Sequence, residues 1–400
     1  MNLTVAMRVI GGFAITCVLL LVLGASTYTV LNRISGSTQS VIDVSVPALE
    51  NSSKLQQQFL MMSKTTLLDY YATDEATTQA SVAAFNEQAT AFEADLKLLR
   101  QVVAQTPSLS SKIPNVSDTF DAFKATSYEL FDSKTRTLEL ADEVVTQLEE
   151  TEFAADDAAT FLLDFIDLNA VSGSSDIAQT VSTVESAMVS VISAITDIAK
   201  ENKKQNVETI IKELGFTINR INESMDSFNS KIAGKDYEGV DDITDQIATV
   251  RELLNSPNSV QNTKLAWLDQ IARTDTLLAE TNTKIDEGLA QLDNLQAAVK
   301  SELNESTTNV TDNVGTGIFT LVTVVLVSLL ASIGIAINTV LKVTRPLAEV
   351  NRILNVVATG DLTTSLDDSG KDEFGELARN CNKLIESLRE LINGIVNRSN

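Results

Sequence analysis

Few residues of this sequence have the types and spacing that catalysis or metal binding requires. Its 400 residues contain no histidine, which excludes histidine general-base catalysis and histidine metal ligands. Cys17 and Cys381 are its two cysteines and lie far apart in different sequence contexts. Neither a disulfide framework nor a multi-cysteine metal site is therefore supported. We expect no enzyme activity, no catalytic residue, no metal and no cofactor.

The charge of the chain excludes a further class of partner. Thirty basic residues stand against 54 acidic ones, which gives a formal net charge of −24. A surface of this sign repels the phosphates of DNA and RNA. We expect no nucleic acid partner.

Binding of a small solute is the chemistry for which candidate side chains remain. Arg220 lies among apolar residues, where its guanidinium fork can meet a carboxylate, and Lys64 precedes two tyrosines whose rings can line a cleft. Asp275 and Asn282 are polar residues in an otherwise apolar helical seam, and if they bind a ligand, an amine is favoured over an acid. Surface ion pairs, core packing and helix register remain the simpler explanations. The candidates are Arg220, Lys64, Tyr70, Tyr71, Asp275 and Asn282.

Two uncharged, apolar runs predict helices that cross a lipid bilayer. Residues 9–31 carry no charge and as a helix reach roughly 35 Å. Residues 313–341 form the second run, and its centre at 318–337 holds nothing more polar than threonine or serine. A cleaved secretory signal is the alternative for the first run, although its apolar stretch is longer than an ordinary signal's. Membrane lipid is therefore a predicted partner.

The distribution of charge predicts the orientation of these spans. Residues 32–312 contain 21 basic and 45 acidic residues, so the whole charge imbalance lies between the spans. Arg8 precedes the first span, and Lys342 and Arg345 follow the second, as the positive-inside rule requires of cytoplasmic flanks. We expect both termini, including residues 1–8, to be cytoplasmic, and residues 32–312 to be periplasmic, outside an inner membrane.

The segment between the spans is predicted to be helical throughout. It shows no alternation of apolar and polar residues flanked by turn residues. Breaks are predicted where glycine, proline, serine and asparagine cluster, at 106–115, 172–175, 234–239 and 255–258, which leaves about six helices. A single four-helix bundle needs only about half of the segment. The predicted fold is all-α, an elongated domain of two stacked modules that each resemble a four-helix bundle.

Two apolar stripes indicate particular helices. One recurs every seven residues before the second span, as in a coiled coil: Ile271, Leu278, Ile285, Leu292 and Val299. Its intervening seam contains Leu268, Asp275, Asn282, Leu289 and Leu303. The other keeps the three-four spacing of a bundle helix: Leu138, Ala141, Val145, Leu148, Ala155, Ala159, Leu162 and Ile166.

A motif of two short amphipathic helices follows the second span. Gly360 and Gly370 bound the connector between them and permit unusual backbone angles. Neither helix can bury its stripe alone, so a parallel four-helix bundle from two chains is expected, and with it a homodimer. The residues expected to carry a signal through the motif are Pro346, Leu347, Val350, Leu354, Val357, Gly360, Leu362, Leu366, Asp372, Glu373, Phe374, Gly375, Leu377, Leu384 and Leu388.

Residues 342–394 resemble a HAMP domain through the opening proline, Gly-Asp-Leu at 360–362 and Asp-Glu-Phe-Gly at 372–375. With the two spans and the long helical outer segment, the chain resembles the N-terminal half of a bacterial methyl-accepting chemotaxis receptor. The outer segment is similar to the helical bimodular sensor family. This resemblance implies a transducer that senses a small solute and transmits the signal by small helix displacements. Residues 395–400 would begin a truncated signalling helix, and the kinase and adaptor would need the missing signalling domain.

Other readings of the same layout stay open. The chain is alternatively the sensor half of a histidine kinase or diguanylate cyclase, or a structural membrane coiled coil without a ligand. The expected ligand is an organic acid, an amine or an amino acid. It binds directly or through a periplasmic binding protein.

Overall fold

The computed structural model describes residues 5–168 and 175–399, which form helices and no strand. The predicted all-α class is therefore confirmed, and most of the predicted break at 172–175 lies outside the described residues. The α-helices are α1 (Val5–Ser40), α2 (Val46–Asp69), α3 (Glu75–Val102), α4 (Pro107–Ser110), α5 (Ile113–Leu168), α6 (Ser175–Lys200), α7 (Lys204–Ile232), α8 (Val240–Asn255), α9 (Val260–Thr339), α10 (Arg345–Ala358) and α11 (Glu373–Ser399). They form two compact units, residues 47–300 and residues 1–46 with 301–400.

Two helix breaks within 47–300 had no glycine or proline to predict them. The break between α2 and α3 ends at Asp74, whose carboxylate accepts a 2.8 Å hydrogen bond from the Thr77 N–H and so caps α3. Between α6 and α7, the carboxylate of Glu201 accepts hydrogen bonds from two successive N–H groups, at 2.8 and 2.9 Å. Carboxylates that bind backbone N–H groups thus mark both breaks, and the described residues of the unit form more helices than the six or so that were predicted.

The first core of the 47–300 unit is built on phenylalanine. It draws on four long helices, as predicted, namely α2, α3, the first half of α5 and the 285–299 part of α9, and also on Leu109 of the short helix α4. The Phe59 and Phe123 rings lie 4.7 Å apart, and the Phe92 and Phe120 rings stack at 4.2 Å. Each such pair contributes about 0.5–1.5 kcal/mol beyond its buried area.

The second core combines five helices instead of the predicted four: the second half of α5, α6, α7, α8 and the start of α9. Helix α6 is long and apolar enough to cross a membrane. Several of its apolar residues, including Val184, Met188 and Val191, are instead fully buried in this core, although Val189 is 52% exposed. Packing therefore accounts for the apolar character of α6.

Both predicted stripes are partly one residue out of register. On α9, Ile285, Leu292 and Val299 are buried as predicted, but Thr274 and Thr281 occupy the core where Asp275 and Asn282 were expected, and both of the latter are exposed. On α5, Ala155, Ala159 and Leu162 are buried, whereas Val145 is 54% exposed and Thr137, Leu140 and Val144 are buried instead. The hydroxyls of Thr137 and Thr274 donate to the carbonyls of Ser133 and Gln270, four residues earlier. A helix can bury threonine in this way without leaving a polar group unpaired.

The other unit contains the two apolar segments predicted to cross the membrane. In α1 and in the end of α9, the most apolar stretches are not buried by protein, which suits helices surrounded by lipid. The two helices approach closely at glycines: a Cβ on Gly12 would lie 2.9 Å from Ile335, and one on Gly317 would lie 2.4 Å from Val30. Small residues at such contacts are typical of helix packing in membranes.

Each proline next to these segments follows one wide π-helical turn. Val41–Ser45 precedes Pro47, and Val340–Thr344 precedes Pro346. In each turn an N–H bonds to the carbonyl five residues earlier, from Val46 to Val41 and from Arg345 to Val340. Proline removes an N–H and crowds the preceding turn, so the helix widens there.

Candidate functional site

A layer of polar side chains lies between the two cores of the 47–300 unit. On α5 it runs from Ser127 to Thr137, so it begins beside Phe131, the last α5 residue of the first core, and ends before Val144, the first of the second. Most of its members are at least nine-tenths buried, and the rest are half-buried. We call this set the polar layer: Ser63, Thr66, Asp69, Thr78, Ser127, Ser133, Thr137, Gln270, Thr274 and Thr281.

Hydrogen bonds in the polar layer join α5 to α9. The Ser133 Oγ and Thr274 Oγ1 atoms lie 2.8 Å apart, and Thr137 Oγ1 lies 3.1 Å from the same Thr274 oxygen. Gln270 Nε2 donates to Ser133 Oγ at 2.8 Å. Each bond contributes about 0.5–1.5 kcal/mol, and several hydroxyls compete for the same partners. The layer therefore holds the two helices together while offering alternative pairings.

Asp69, the last residue of α2, differs from the other members of this layer because it is acidic. Its side chain is fully buried, and neither carboxylate oxygen has a hydrogen-bond partner among the described residues. Burial raises its pKa, while the Ser81 and Thr78 hydroxyls and the Lys134 ammonium act in the opposite direction. An ionised carboxylate placed here destabilises the native packing.

The polar layer opens to the surface at the pair formed by Tyr70 and Asp275. The Tyr70 hydroxyl donates to Asp275 Oδ1 at 2.6 Å, and this bond to the carboxylate raises the pKa of Tyr70 to about 12. Lys134 Nζ lies 5.9 Å from the centre of the Tyr70 ring. Burial lowers the pKa of Lys134. Two predicted candidates thus meet, beside a lysine that sequence reasoning missed.

The remaining predicted candidates do not join this pair into one site. Arg220 is exposed on α7, whose buried residues belong to the second core. Lys64 and Asn282 are exposed on α2 and α9. Tyr71 packs edge-on against Tyr70 with ring centres 5.0 Å apart but is 74% exposed. Their ligand role stays a prediction.

Lys264 is a buried cation that the sequence pattern could have revealed. It is 2% exposed, donates to the Ala199 carbonyl at 2.8 Å, and lies 4.0 Å from the centre of a Trp267 ring. Burial lowers its pKa. The bond satisfies a carbonyl at the C-terminus of α6, where a cation is favourable. Its position four residues before Leu268 continues the apolar stripe of α9, and this was the available signal.

The two-helix motif after the second span has its own small core. Val350 and Leu366 are buried in it as predicted, together with Ile353, Ala378 and Ile385, which the predicted set lacked; Cys381 is buried there as a free thiol. Other predicted residues remain 36–54% exposed on the same chain. We call these the open HAMP face: Leu347, Leu354, Leu377, Leu384 and Leu388.

Side chains of α11 hold the connector between α10 and α11. Asn382 accepts from the Leu366 N–H at 2.8 Å and donates to the Leu366 carbonyl at 2.9 Å. Arg379 donates to the carbonyls of Asp368 and Gly370, at 3.0 and 2.8 Å. Because these residues lie on the polar side of the α11 stripe, apolar periodicity gave no signal for them.

The two connector glycines, Gly360 and Gly370, occupy their positions for different structural reasons. Gly360 adopts φ +96°, as predicted, but Gly370 has no positive φ. Gly370 instead contacts Gly375, where a Cβ would lie 1.9 Å from the Gly370 carbonyl oxygen. Asp372 accepts from the Gly375 N–H at 3.2 Å, which caps α11. Pro346 lies in the first turn of α10, where a missing N–H is tolerated.

Parts of this chain resemble known proteins in sequence or in fold. Residues 339–390 match the HAMP domain family, so a HAMP domain is present where the motif indicated one. A TorS sensor domain, solved in complex with TorT in the presence of TMAO, is similar in fold, with a TM-score of 0.50 and 12% identity over 63% of this chain and 99% of that chain. The sensor domain of the V. parahaemolyticus histidine kinase sensor TorS aligns with a TM-score of 0.49 and 12% identity over 62% of this chain and 98% of that one.

No curated protein matches the chain in sequence. The chain thus combines a HAMP domain, helices long and apolar enough to cross a membrane, and a helical fold similar to that of a TorS sensor domain.

Proposed function

We propose that this chain is the sensing and transmitting part of a methyl-accepting chemotaxis receptor in the inner membrane. In this proposal residues 32–312 are periplasmic and respond to a small solute, both termini are cytoplasmic, and the chain itself catalyses no reaction. The observation that carries the proposal is the polar layer. It holds α5 to α9, and α9 also contains the apolar segment at 318–337.

A change of partners in the polar layer is the proposed first step of signalling. A ligand that binds one pairing of Ser133, Thr137 and Thr274 more tightly than another shifts the population between them. Side-chain hydroxyls can exchange partners within displacements of about 1–2 Å, which is the scale of helix shifts at the subunit interfaces of allosteric proteins. Since Thr274 lies on α9, the proposed output of the exchange is a small axial movement of that helix.

The open HAMP face supports the proposed homodimer. Within α10 and within α11 its five leucines stand seven or four residues apart, on one face of each helix, and they remain exposed on one chain. Exposed apolar faces of this kind mark association surfaces. Two copies would bury them in a parallel four-helix bundle.

A histidine kinase sensor half is the second candidate. Its support is the likeness of the fold to a TorS sensor domain, and the same membrane layout serves either output. The two candidates share every step up to the HAMP domain. They differ in the domain that follows it, which is helical with methylation sites in a chemotaxis receptor and catalytic in a kinase.

Ligand-induced stabilisation of the full chain in lipid nanodiscs tests the sensing role. A panel of organic acids, amines and amino acids is screened by thermal unfolding, and a specific ligand at 100 times its Kd should stabilise by about 2.7 kcal/mol. Thr274→Val should weaken this response, whereas the same change at an exposed threonine of α9, Thr283→Val, should keep it. Absence of any stabilising ligand, with or without an added binding protein, would favour a structural coiled coil instead.

Fusion to known outputs tests the class of receptor. Residues 1–394 are joined in register to the cytoplasmic part of a chemotaxis receptor and, separately, to that of a histidine kinase. The proposal expects the first fusion to control the kinase through its adaptor in response to the ligand. Control by the second fusion alone would overturn it in favour of the kinase reading.

A further inference from the structure

The surface formed by the second half of α5 and by α6 carries charge of a single sign. Residues 138–168 contain ten acidic residues and no lysine or arginine. Helix α6 contains one basic residue, Lys200, at its C-terminal end, and three acidic residues: Asp176, Glu185 and Asp197. In α7, by contrast, basic and acidic residues are interspersed along the helix. This part of the second core is therefore the most uniformly negative of the outer segment.

An open groove of about 430 Å³ lies on this surface, between α5 and α6. Phe153 forms one side and is 70% exposed, and Ile192 forms the other. Val189 is 52% exposed and lies three residues before Ile192, on the same face of α6. We call this the Phe153 groove. Its lining is completed by Glu149, Glu152 and Asp156.

The three carboxylates of the groove are exposed and form no ion pair or hydrogen bond with another described residue. Glu149 and Glu152 stand three residues apart on α5, and Glu152 and Asp156 stand four apart. Like charges at these spacings destabilise a helix. The free chain thus holds both unfavourable charge pairs and an exposed phenylalanine in one place, and a cationic partner would relieve both.

We propose that the Phe153 groove is a docking surface for another protein, one that presents an apolar pocket for Phe153 within a rim of lysine and arginine. Phe153 supplies the buried anchor that dominates such interfaces, and the carboxylates supply the complementary rim. A second copy of this chain is disfavoured, because a symmetric contact would place the same carboxylates against each other. Anionic lipid is disfavoured for the same reason.

The inference rests on the proposed sensing role of the outer segment, since a docked protein would then modulate or deliver the signal. Its test reads contact and not signalling, so the two can fail separately. A chain that responds to small solutes but docks nothing keeps the proposed function and loses the docking surface. A chain that docks a basic partner but gives no signalling output keeps the docking surface and loses the proposed function.

Site-specific photo-crosslinking of the full chain in its native cells tests the surface. The photoreactive residue p-benzoylphenylalanine replaces Phe153 in one variant and Phe216 in the control, a 71% exposed phenylalanine on α7 near Lys212 and Arg220. The expected result is a protein crosslinked at position 153 and not at 216, whose crosslinked region has more basic than acidic residues.

Binding of the identified protein, once purified, to the full chain in nanodiscs completes the test. Phe153→Ala should weaken binding at least tenfold. The triple change Glu149→Gln, Glu152→Gln and Asp156→Asn should weaken it and reduce its salt dependence, with unchanged thermal unfolding as evidence of folding. Crosslinking only to a second copy, only to lipid, or equally at both positions would overturn the proposal, as would binding that neither variant alters.

Discussion

Replacing Gly288 by alanine should separate close helix contact from helix propensity in the first core. A Cβ at this position would lie 2.2 Å from Cζ of Phe59 and within 2.9 Å of both of its Cε atoms. The Phe59 ring is 1% exposed and cannot turn away, because Phe123 lies 4.7 Å from it and Phe92 6.2 Å. The contact joins α2 to α9 directly, so the substitution probes the packing between these two helices.

Two opposing effects set how much Gly288→Ala changes the free energy of unfolding. Alanine in a helix interior is more favourable than glycine by about 0.8–1 kcal/mol, whereas overpacking a core costs about 1–3 kcal/mol. Gly215→Ala on α7 is the matched control, because a Cβ there meets no atom within 4 Å. Both variants share the propensity gain, so the difference between their unfolding free energies isolates the clash, at about 1–3 kcal/mol.

Unfolding of the full chain in nanodiscs, followed by helical circular dichroism in urea, measures both variants against the parent. The control should be more stable than the parent and Gly288→Ala less stable or equal. Adding Phe59→Leu to Gly288→Ala should recover part of the loss, since the smaller side chain leaves room for the methyl group. If the two glycine substitutions stabilise the chain equally, the inferred contact between Phe59 and Gly288 is wrong.

Three further substitutions address the polar layer and the HAMP domain. Asp69→Asn should stabilise the chain by about 1–3 kcal/mol at neutral pH. Burial raises the pKa of Asp69 above its ordinary value in the folded chain, so the native packing loses stability as pH rises through that pKa, and the advantage of the variant should shrink toward pH 4. A constant advantage in thermal unfolding across this range would contradict this prediction. Leu384→Asp should abolish dimers measured by mass photometry while the neighbouring change Lys383→Asp should not; dimers retained in the first variant would rule out the open HAMP face as the interface. Asn382→Ala removes two hydrogen bonds to the backbone of Leu366, so exchange of the Leu366 amide hydrogen should accelerate by about tenfold or more, and exchange no faster than with Asn380→Ala would refute this role.

Glycine and proline signals located three of the helix breaks because those residues act through the backbone itself. Gly234 and Gly239 adopt φ of +76° and +83°, which only glycine adopts readily. The two missed breaks are ended by carboxylates, of Asp74 and Glu201, and acidic residues are too common in this sequence for any one to stand out. Gly370 shows the converse, since its reason is a close contact with Gly375 that depends on the folded connector.

The misplaced stripes of α5 and α9 have one physical cause, and it bears on the proposed mechanism. Polarity alone assigns threonine to the surface, but in a helix its hydroxyl can bond to the carbonyl four residues earlier and then be buried. Thr137 and Thr274 do this, and Thr274 Oγ1, whose single proton then goes to its own helix, can still accept from the Ser133 hydroxyl at 2.8 Å. The Thr274 hydroxyl thus has an intrahelical partner and an interhelical one, so it can release the second without becoming unpaired. A seam of this kind costs less to rearrange than one of leucine, whose displacement opens a cavity. The buried threonines that made the sequence prediction wrong are therefore also the residues that suit a contact between α5 and α9 that shifts when a ligand binds.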